Sequence, residues 1–393
     1  FYPVESSMPE KHHNAKLHLL THTPSVETYF FAKKNIYSYS TARPEEEAGG
    51  KVEVNIIDMR TERQKGNYDF MGEELVKKIQ QIKTGNIFLF INKRGTANYV
   101  GCRDCGEVIR CQLCKHTLSY HQDQNILKCH YCKTNLKMEK FCANCHGLNL
   151  VLRGPGTQMV ENKIRHLFQD NADIAIQRID SDSPRLTTSS KQADRLNKQK
   201  NSTPQTITIG TQMAWPHVDW LNLKLMAFID ADTSLFVPEY KISEGLWYLI
   251  RDAQYKMSGD EMIIQTSHPE NNIFSSLNDP KKFYQQEITQ RQTLGYPPFR
   301  FILKLFYGSQ NKVMAEREAS GLVNKLNQLT KNKIQIKILG PIESMPYFNK
   351  GQYWQNIIIK IKYDQYKQDV KYINSLLPIG WKVDPNPNNL LSI

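Results

Sequence analysis

Gly85-Asn86-Ile87-Phe88-Leu89-Phe90-Ile91-Asn92 sets five consecutive apolar side chains between turn-prone residues. A run this short and this continuous reads as a β-strand buried on both faces. Upstream, residues 72–83 carry Leu75, Val76, Ile79 and Ile82 at helical spacing, which predicts an amphipathic helix leading into the strand. Downstream, the pattern predicts a helix at about 159–168 and strands at 174–178, 206–210 and 225–230. Strands alternating with helices imply an α/β domain on a parallel sheet, with its working loops at the C-terminal strand ends. Residues 186–204 are polar and rich in Ser, Lys and Gln, and read as a helix plus a loop.

Between the strand and the second helix lie all eight cysteines of the chain. They form four Cys-x-x-Cys pairs, Cys102/Cys105, Cys111/Cys114, Cys129/Cys132 and Cys142/Cys145. Two thiolates at this spacing turn inward on one tight knuckle and fill two corners of a tetrahedron, so four knuckles imply two Zn²⁺ ions. The inner knuckles enclose a loop of ordinary zinc-ribbon length. We therefore favour one ion on Cys111, Cys114, Cys129 and Cys132, and the other on Cys102, Cys105, Cys142 and Cys145; two other pairings are topologically open. Four thiolates close each coordination sphere, so the expected role is structural. Disulfides would need an export signal, and none is read. His116, His121, His130 and His146 share the segment and are expected beside the metals rather than on them.

The chain has 393 residues, enough for two or three domains, with 40% hydrophobic and 10% aromatic residues, which argues against wholesale disorder. No run of about 18 apolar residues occurs, so no membrane span is expected and the cytoplasm is the expected compartment. The sequence opens on Phe1 rather than Met, which suggests a piece of a longer reading frame. Its net charge of +12 is uneven: from residue 281 onward there are 17 Lys and Arg against 7 Asp and Glu, while the first 280 residues are nearly balanced. A basic surplus in one terminal region points to a polyanion partner, nucleic acid above all; the plainer alternative is a solvated surface.

Several motifs follow one another in fixed order: T-H-T-P-S-V-E-T (21–28), F-I-N-K-R-G (90–95), the eight cysteines, G-P-G-T-Q-M-V-E (154–161), R-I-D-S-D (178–182), I-G-T-Q-M (209–213), D-A-D-T-S-L-F-V-P-E-Y (230–240), G-Y-P-P-F (295–299), L-G-P (339–341), G-Q-Y (351–353) and V-D-P (383–385). In this order they resemble the second helicase lobe and C-terminal domain of the PriA family of replication-restart helicases (primosomal protein N′), over nearly the whole chain. The resemblance implies a RecA-like lobe with an inserted two-zinc module and a small α/β C-terminal domain that binds DNA. It implies the same inner and outer knuckle pairing. On it, residues 1–50 are a remnant of the first lobe and a linker, 51–100 with 149–275 the second lobe, 101–148 the zinc module, and 276–393 the basic DNA-binding domain. The family's activity is ATP-dependent 3′-to-5′ unwinding at abandoned forks, so ATP and Mg²⁺ enter by analogy alone.

The motor's own residues are missing from this chain. A phosphate loop needs G-x-x-x-x-G-K-[ST], and the sole Gly-Lys, Gly50-Lys51, is followed by Val52 with Glu45 at the first glycine's place. No D-E-x-H box occurs. Ala214-Trp215-Pro216-His217 follow T-Q-M where the family has a Lys-Gly pair, and Tyr255-Lys256-Met257-Ser258-Gly259 stand where it has G-R-A-G-R. Neither guanidinium of that arginine finger survives, and Lys256 lacks the planar fork. No catalytic or nucleotide-binding residue is assigned.

Expected DNA contacts are Lys93 and Arg94 at a strand end, Thr211 and Gln212 after the next, and Tyr353, Trp354, Lys360 and Lys362 in the basic tail. Their plain structural alternatives are a solvated turn, loop capping and core aromatics. In the tail, Ile357, Ile359 and Ile361 fall on one face of a strand, with Ile358, Lys360 and Lys362 on the other. The function expected is a zinc-structured replication-restart protein that binds forked or single-stranded DNA without its own ATPase, with other primosome or single-strand-binding proteins as partners. Two alternatives stand: the C-terminal fragment of an active helicase, and a zinc-based protein-interaction scaffold.

Overall fold

A computed structural model describes residues 20–38, 52–91, 99–102, 109–112, 118–121, 126–129, 134–148, 150–153, 156–171, 173–180, 205–235, 239–257, 261–331 and 336–392. The 85–92 stretch forms strand β2 (Asn86–Ile91) near the middle of a six-stranded sheet. Its neighbours are β1 (Glu53–Asp58), β8 (Ile174–Ile179), β9 (Gln205–Gly210), β10 (Leu223–Asp230) and β11 (Glu261–Thr266), in the order β1-β11-β10-β2-β9-β8. Every pairing in this sheet is parallel, as the alternation of strands and helices predicts.

Both faces of β2 are covered. Ile87, Leu89 and Ile91 pack with α3 (Glu73–Gln81) and α4 (Thr157–Leu167) through Leu75, Ile79, Val160 and Ile164. Phe88 and Phe90 face the other way, toward α6 (Ile242–Lys256) and its Trp247. Burying one such side chain contributes about 1.5–3 kcal/mol, so the uninterrupted apolar run is what a two-sided core selects. Short helices α2 (Met59–Gln64), α5 (Asp232–Leu235) and α7 (Asn272–Ser275) follow β1, β10 and β11. Gln265 on β11 ties the layers together: its amide donates to Phe70 O and Ile229 O, and its Oε1 accepts from Gly72 N–H at 2.7 Å.

The cysteine-bearing segment forms a second, antiparallel sheet of β3 (Tyr99–Cys102), β4 (Ser119–His121), β5 (Ile126–Lys128), β6 (Asn135–Lys137) and β7 (Leu150–Arg153), in the order β6-β5-β4-β3-β7. Chain entry and exit pair with each other, Tyr99 opposite Arg153 and Cys102 opposite Leu150. The segment is thus inserted between β2 and α4 and closed at its base.

Beyond α8 (Pro280–Leu294), a third sheet of β12 (Arg300–Ser309), β13 (Ile336–Asn349), β14 (Gln352–Lys362) and β15 (Lys382–Pro385) runs in the order β13-β14-β12-β15, all antiparallel. Helices α9 (Lys312–Leu329) and α10 (Tyr366–Leu376) cover one face, burying Phe301, Leu303, Leu305, Ile357, Ile359 and Ile361. The predicted alternation in β14 therefore holds. No described helix is long and apolar enough to cross a membrane. Residues 186–204 lie outside the described residues.

Helix α1 (Val26–Lys33), from the T-H-T-P-S-V-E-T stretch, docks between α6 and α8. Ser25 caps it by accepting from Thr28 N–H. Tyr29 stacks on Tyr284 with ring centroids 4.0 Å apart, and Tyr284 donates to Pro24 O at 2.7 Å. Beneath it Arg291 is 1% exposed and meets three carboxylates: Glu27 at 3.2 Å, Glu244 at 2.7 Å and Glu287 at 2.9 Å. Lys241 approaches Glu27 at 3.7 Å. Burial, with repulsion from Glu244, pushes the Glu27 carboxyl up to about 7. Burial likewise pulls the Lys241 ammonium down to about 7.

These values fix a sign. A carboxyl raised on folding supports the fold fully below its unfolded pKa and ceases to as pH rises through its folded one. Glu27→Gln is therefore expected to gain roughly 1–3 kcal/mol on the parent between pH 5 and pH 8, read by urea unfolding. Arg291→Met, which strands three buried carboxylates, is expected to cost about 3–5 kcal/mol in the same measurement.

Candidate metal module and nucleic-acid interface

Four cysteine side chains are described, and they sample three of the four knuckles. Cys111 and Cys129 are buried in one cluster with Val100, Leu118 and Leu127. Cys142 is buried and Cys145 exposed. The chain reverses at two of these places: Cys129 N–H donates to Thr134 O, Cys142 N–H to Gly147 O and His146 N–H to Cys142 O, each at 2.8 Å. Cys102 closes β3. Cys105, Cys114 and Cys132 lie outside the described residues. Among the described residues no three potential ligands gather; Cys111 and Cys129, from different inner knuckles, share one cluster, and thiols are the donor type a structural zinc site uses. Phe348 of β13 packs against this cluster and joins the module to the third sheet.

The motifs after the module meet in space. The hydroxyl of Thr157, which opens α4, donates to Asp180 just past β8. Arg178 lies 3.2 Å from both Asp180 and Glu161. In I-G-T-Q-M, a Cβ on Gly210 would fall 2.6 Å from the Ala214 Cβ and 2.7 Å from Ile179 O, so only glycine fits that strand end. Thr211 is buried, and its hydroxyl caps the 3₁₀ turn Gln212–His217 by accepting from Met213 N–H; Gln212 stands exposed on that turn. Asp230 accepts from Thr233 N–H at 3.0 Å, and Asp232 from Ser267 N–H at 2.6 Å. Lys93 and Arg94 lie outside the described residues.

At the end of α6, Lys256 donates to Asp252 at 2.6 Å and sits 5.7 Å and 5.6 Å above the rings of Trp215 and Trp220. Trp215 donates to the same carboxylate at 2.7 Å. Tyr255 stacks on His22 at 4.3 Å. Trp215 and Lys256 therefore hold one another through Asp252.

In the third sheet the register separates the tail residues. Trp354 is buried and donates to Asn349 O, while Tyr353 packs on Phe348 and Tyr347. Lys360 is buried rather than solvated: its ammonium sits 3.5 Å over Tyr296 and donates to Leu294 O at 2.9 Å. Burial, with Lys337 and Arg300 nearby, pulls it down to about 8. Lys362 is exposed. Strand pairing sets Arg300 opposite Lys362, Lys337 opposite Lys360, and Lys382 opposite Phe306, two residues from Lys304. Side chains paired across strands, or two apart along one, share a face. Arg300, Lys304, Lys337, Lys360, Lys362 and Lys382 therefore share the face opposite α9 and α10, against Asp384. Sequence spacing revealed Lys360 and Lys362; the other four needed the register.

No family model matches the chain. It is 30% identical over 361 residues to the replication restart protein PriA of Bacillus subtilis, covering 90% of this chain and 44% of that protein. It is 30% identical to the PriA protein of Borreliella burgdorferi, over 89% of this chain and 52% of that one. With the PriA protein of Chlamydia trachomatis the identity is 32%, over 75% and 40%. The chain spans about half the length of these curated relatives.

Gly210→Ala is expected to lower stability by roughly 1–3 kcal/mol through overpacking, and Thr211→Ala by about 1 kcal/mol through the lost cap. Thermal unfolding followed by circular dichroism checks both.

Proposed function

The chain belongs to the PriA family of replication restart proteins, and on that premise we propose that it serves replication restart as a zinc-ordered, DNA-binding protein without an ATPase of its own. The observation that carries the DNA reading is the face of the third sheet opposite α9 and α10, where six Lys and Arg gather against Asp384. Among these, Lys337, Lys362 and Lys382 are exposed and Arg300 half-exposed. Like charges held this close favour an anion that neutralises several at once, and a phosphate backbone does so while releasing its counterions. Gln212, exposed beside a strand end, is a further candidate contact, as are Lys93 and Arg94 on sequence grounds. Forked or single-stranded DNA is the proposed substrate, with other primosome proteins as partners, in the cytoplasm, where thiols stay reduced.

Two Zn²⁺ ions are proposed on the eight thiolates, the inner knuckles sharing one and the outer knuckles the other. Their role is to order short strands that bury little apolar surface. The absence of an ATPase rests on the missing phosphate loop and on Lys256, whose ammonium is held by Asp252 and two indoles. A second reading, the C-terminal part of an ATP-driven helicase, draws on the chain's span of about half its relatives.

Fluorescence anisotropy with forked and single-stranded oligonucleotides is expected to give affinities that fall steeply with salt. Lys337→Ala and Lys362→Ala are each expected to flatten the log–log salt slope by roughly 0.7–0.9. A flat parent slope would remove the DNA reading and favour a protein scaffold. Phosphate release stimulated by single-stranded DNA, and lost in Lys256→Ala, would favour the helicase reading. Elemental analysis of reduced protein is expected to return roughly two zinc ions per chain, and Cys129→Ser roughly one.

A further inference from the structure

The same cationic face is partly covered by the chain's own residues 386–392, Asn-Pro-Asn-Asn-Leu-Leu-Ser, which carry no charged side chain. Asn386, at φ 52°, turns the chain back over the sheet; its N–H donates to Ile302 O at 2.8 Å. Leu390 is buried against Ile302 and Ile358, with Tyr240 and Tyr296 beside it. The Leu391 carbonyl accepts from Met345 N–H at 2.8 Å and from the Asn356 amide at 2.9 Å. Lys304, central on this face, donates to Asn389 O at 3.2 Å and to Ser392 O. From the parallel-sheet lobe, Glu239 clasps the segment: its two carboxylate oxygens accept from Leu390 N–H at 2.8 Å and Leu391 N–H at 2.9 Å.

We propose that residues 386–392 form an autoinhibitory strap, which masks the middle of the cationic face and is displaced when a nucleic-acid backbone occupies it. The inference rests on the DNA-binding reading of that face. Lys304 cannot serve strap and phosphate together, since it is buried beneath the strap with two of its three N–H donors on peptide carbonyls. A phosphate is the stronger acceptor, because both partners are charged. The competition is reciprocal: whatever loosens the strap tightens polyanion binding, and a bound polyanion loosens the strap by the same factor. Glu239 and Tyr240 belong to the lobe, through the V-P-E-Y end of the 230–240 motif, so releasing the strap also releases the third sheet from that corner. Occupancy of the C-terminal face is thereby reported to the lobe.

The test uses the full chain and an oligothymidylate of about 20 nucleotides, long enough to cross the face. Amide hydrogen exchange is read on the peptide holding Leu390 and Leu391. Saturating oligonucleotide is expected to speed its exchange several-fold while β12 keeps its protection. Unchanged or slower exchange in the complex overturns the strap, since a merely structural tail would behave so. Leu390→Ala adds no charge, and is expected to bind the oligonucleotide about 3–10-fold tighter with a salt slope steeper by roughly 0.7, one freed cation's worth. A folded Leu390→Ala that binds no tighter overturns the strap and leaves the DNA reading standing. If neither protein binds, the DNA reading itself fails and the strap goes with it.

Discussion

Arg291 stands where three parts of the chain converge, and their arrangement depends on how its charge is met. Glu27 comes from α1, Glu244 from α6 and Glu287 from one turn earlier on α8. Each would be costly to bury alone, and so would the guanidinium. Together they are tolerable only when all three helices are in place, so the cluster makes docking of α1 conditional on the correct packing of α6 and α8. Glu244 has a second duty: its Oε1 accepts from Val26 N–H and from the Tyr248 hydroxyl, each at 2.9 Å. One carboxylate thus caps the incoming helix and neutralises the arginine beneath it.

From that joint the chain passes through α8 into the third sheet, and the contacts remain aromatic and cationic. Tyr240 stacks on Tyr296 at 4.8 Å, Arg291 lies 5.4 Å from the Tyr240 ring, and Lys360 covers Tyr296. The lobe and the C-terminal sheet therefore meet through stacked rings and cations on aromatic faces, beside a small apolar cluster of Ile302, Ile358 and Leu390. Such contacts are favourable in a desolvated site and tolerate small displacements. Glu239 adds a clasp on the strap. A junction built this way can hold two units in register while still answering to a charged partner on the adjoining face.

Much of the parallel lobe was legible in sequence because its signals are local. Five apolar residues from Ile87 to Ile91 can satisfy both faces only in a central strand, and the helix at 72–83 declares its buried side by spacing alone. The insertion was legible for the same reason, since eight cysteines crowded between one strand and the next helix mark its bounds. The basic face of the third sheet was legible in part. Lys362 is exposed as spacing suggests, but Lys360, two residues earlier on the same face, is buried against Tyr296, and Trp354 is packed inside. Alternation tells which face a side chain takes, and says nothing of what else arrives on that face.

Local periodicity, residue spacing and charge sign determined by themselves the parallel sheet, the inserted cysteine segment and the basic C-terminal third. Tertiary structure alone decided that Arg291 gathers Glu27, Glu244 and Glu287 from across some 260 residues of chain, that Lys304 joins Lys337 and Lys362 on one face, and that residues 386–392 fold back across it. The physical reason is that a buried charge, or a partner across a sheet, is chosen by strand register and helix docking, and both are set by distant segments that no short window of sequence contains.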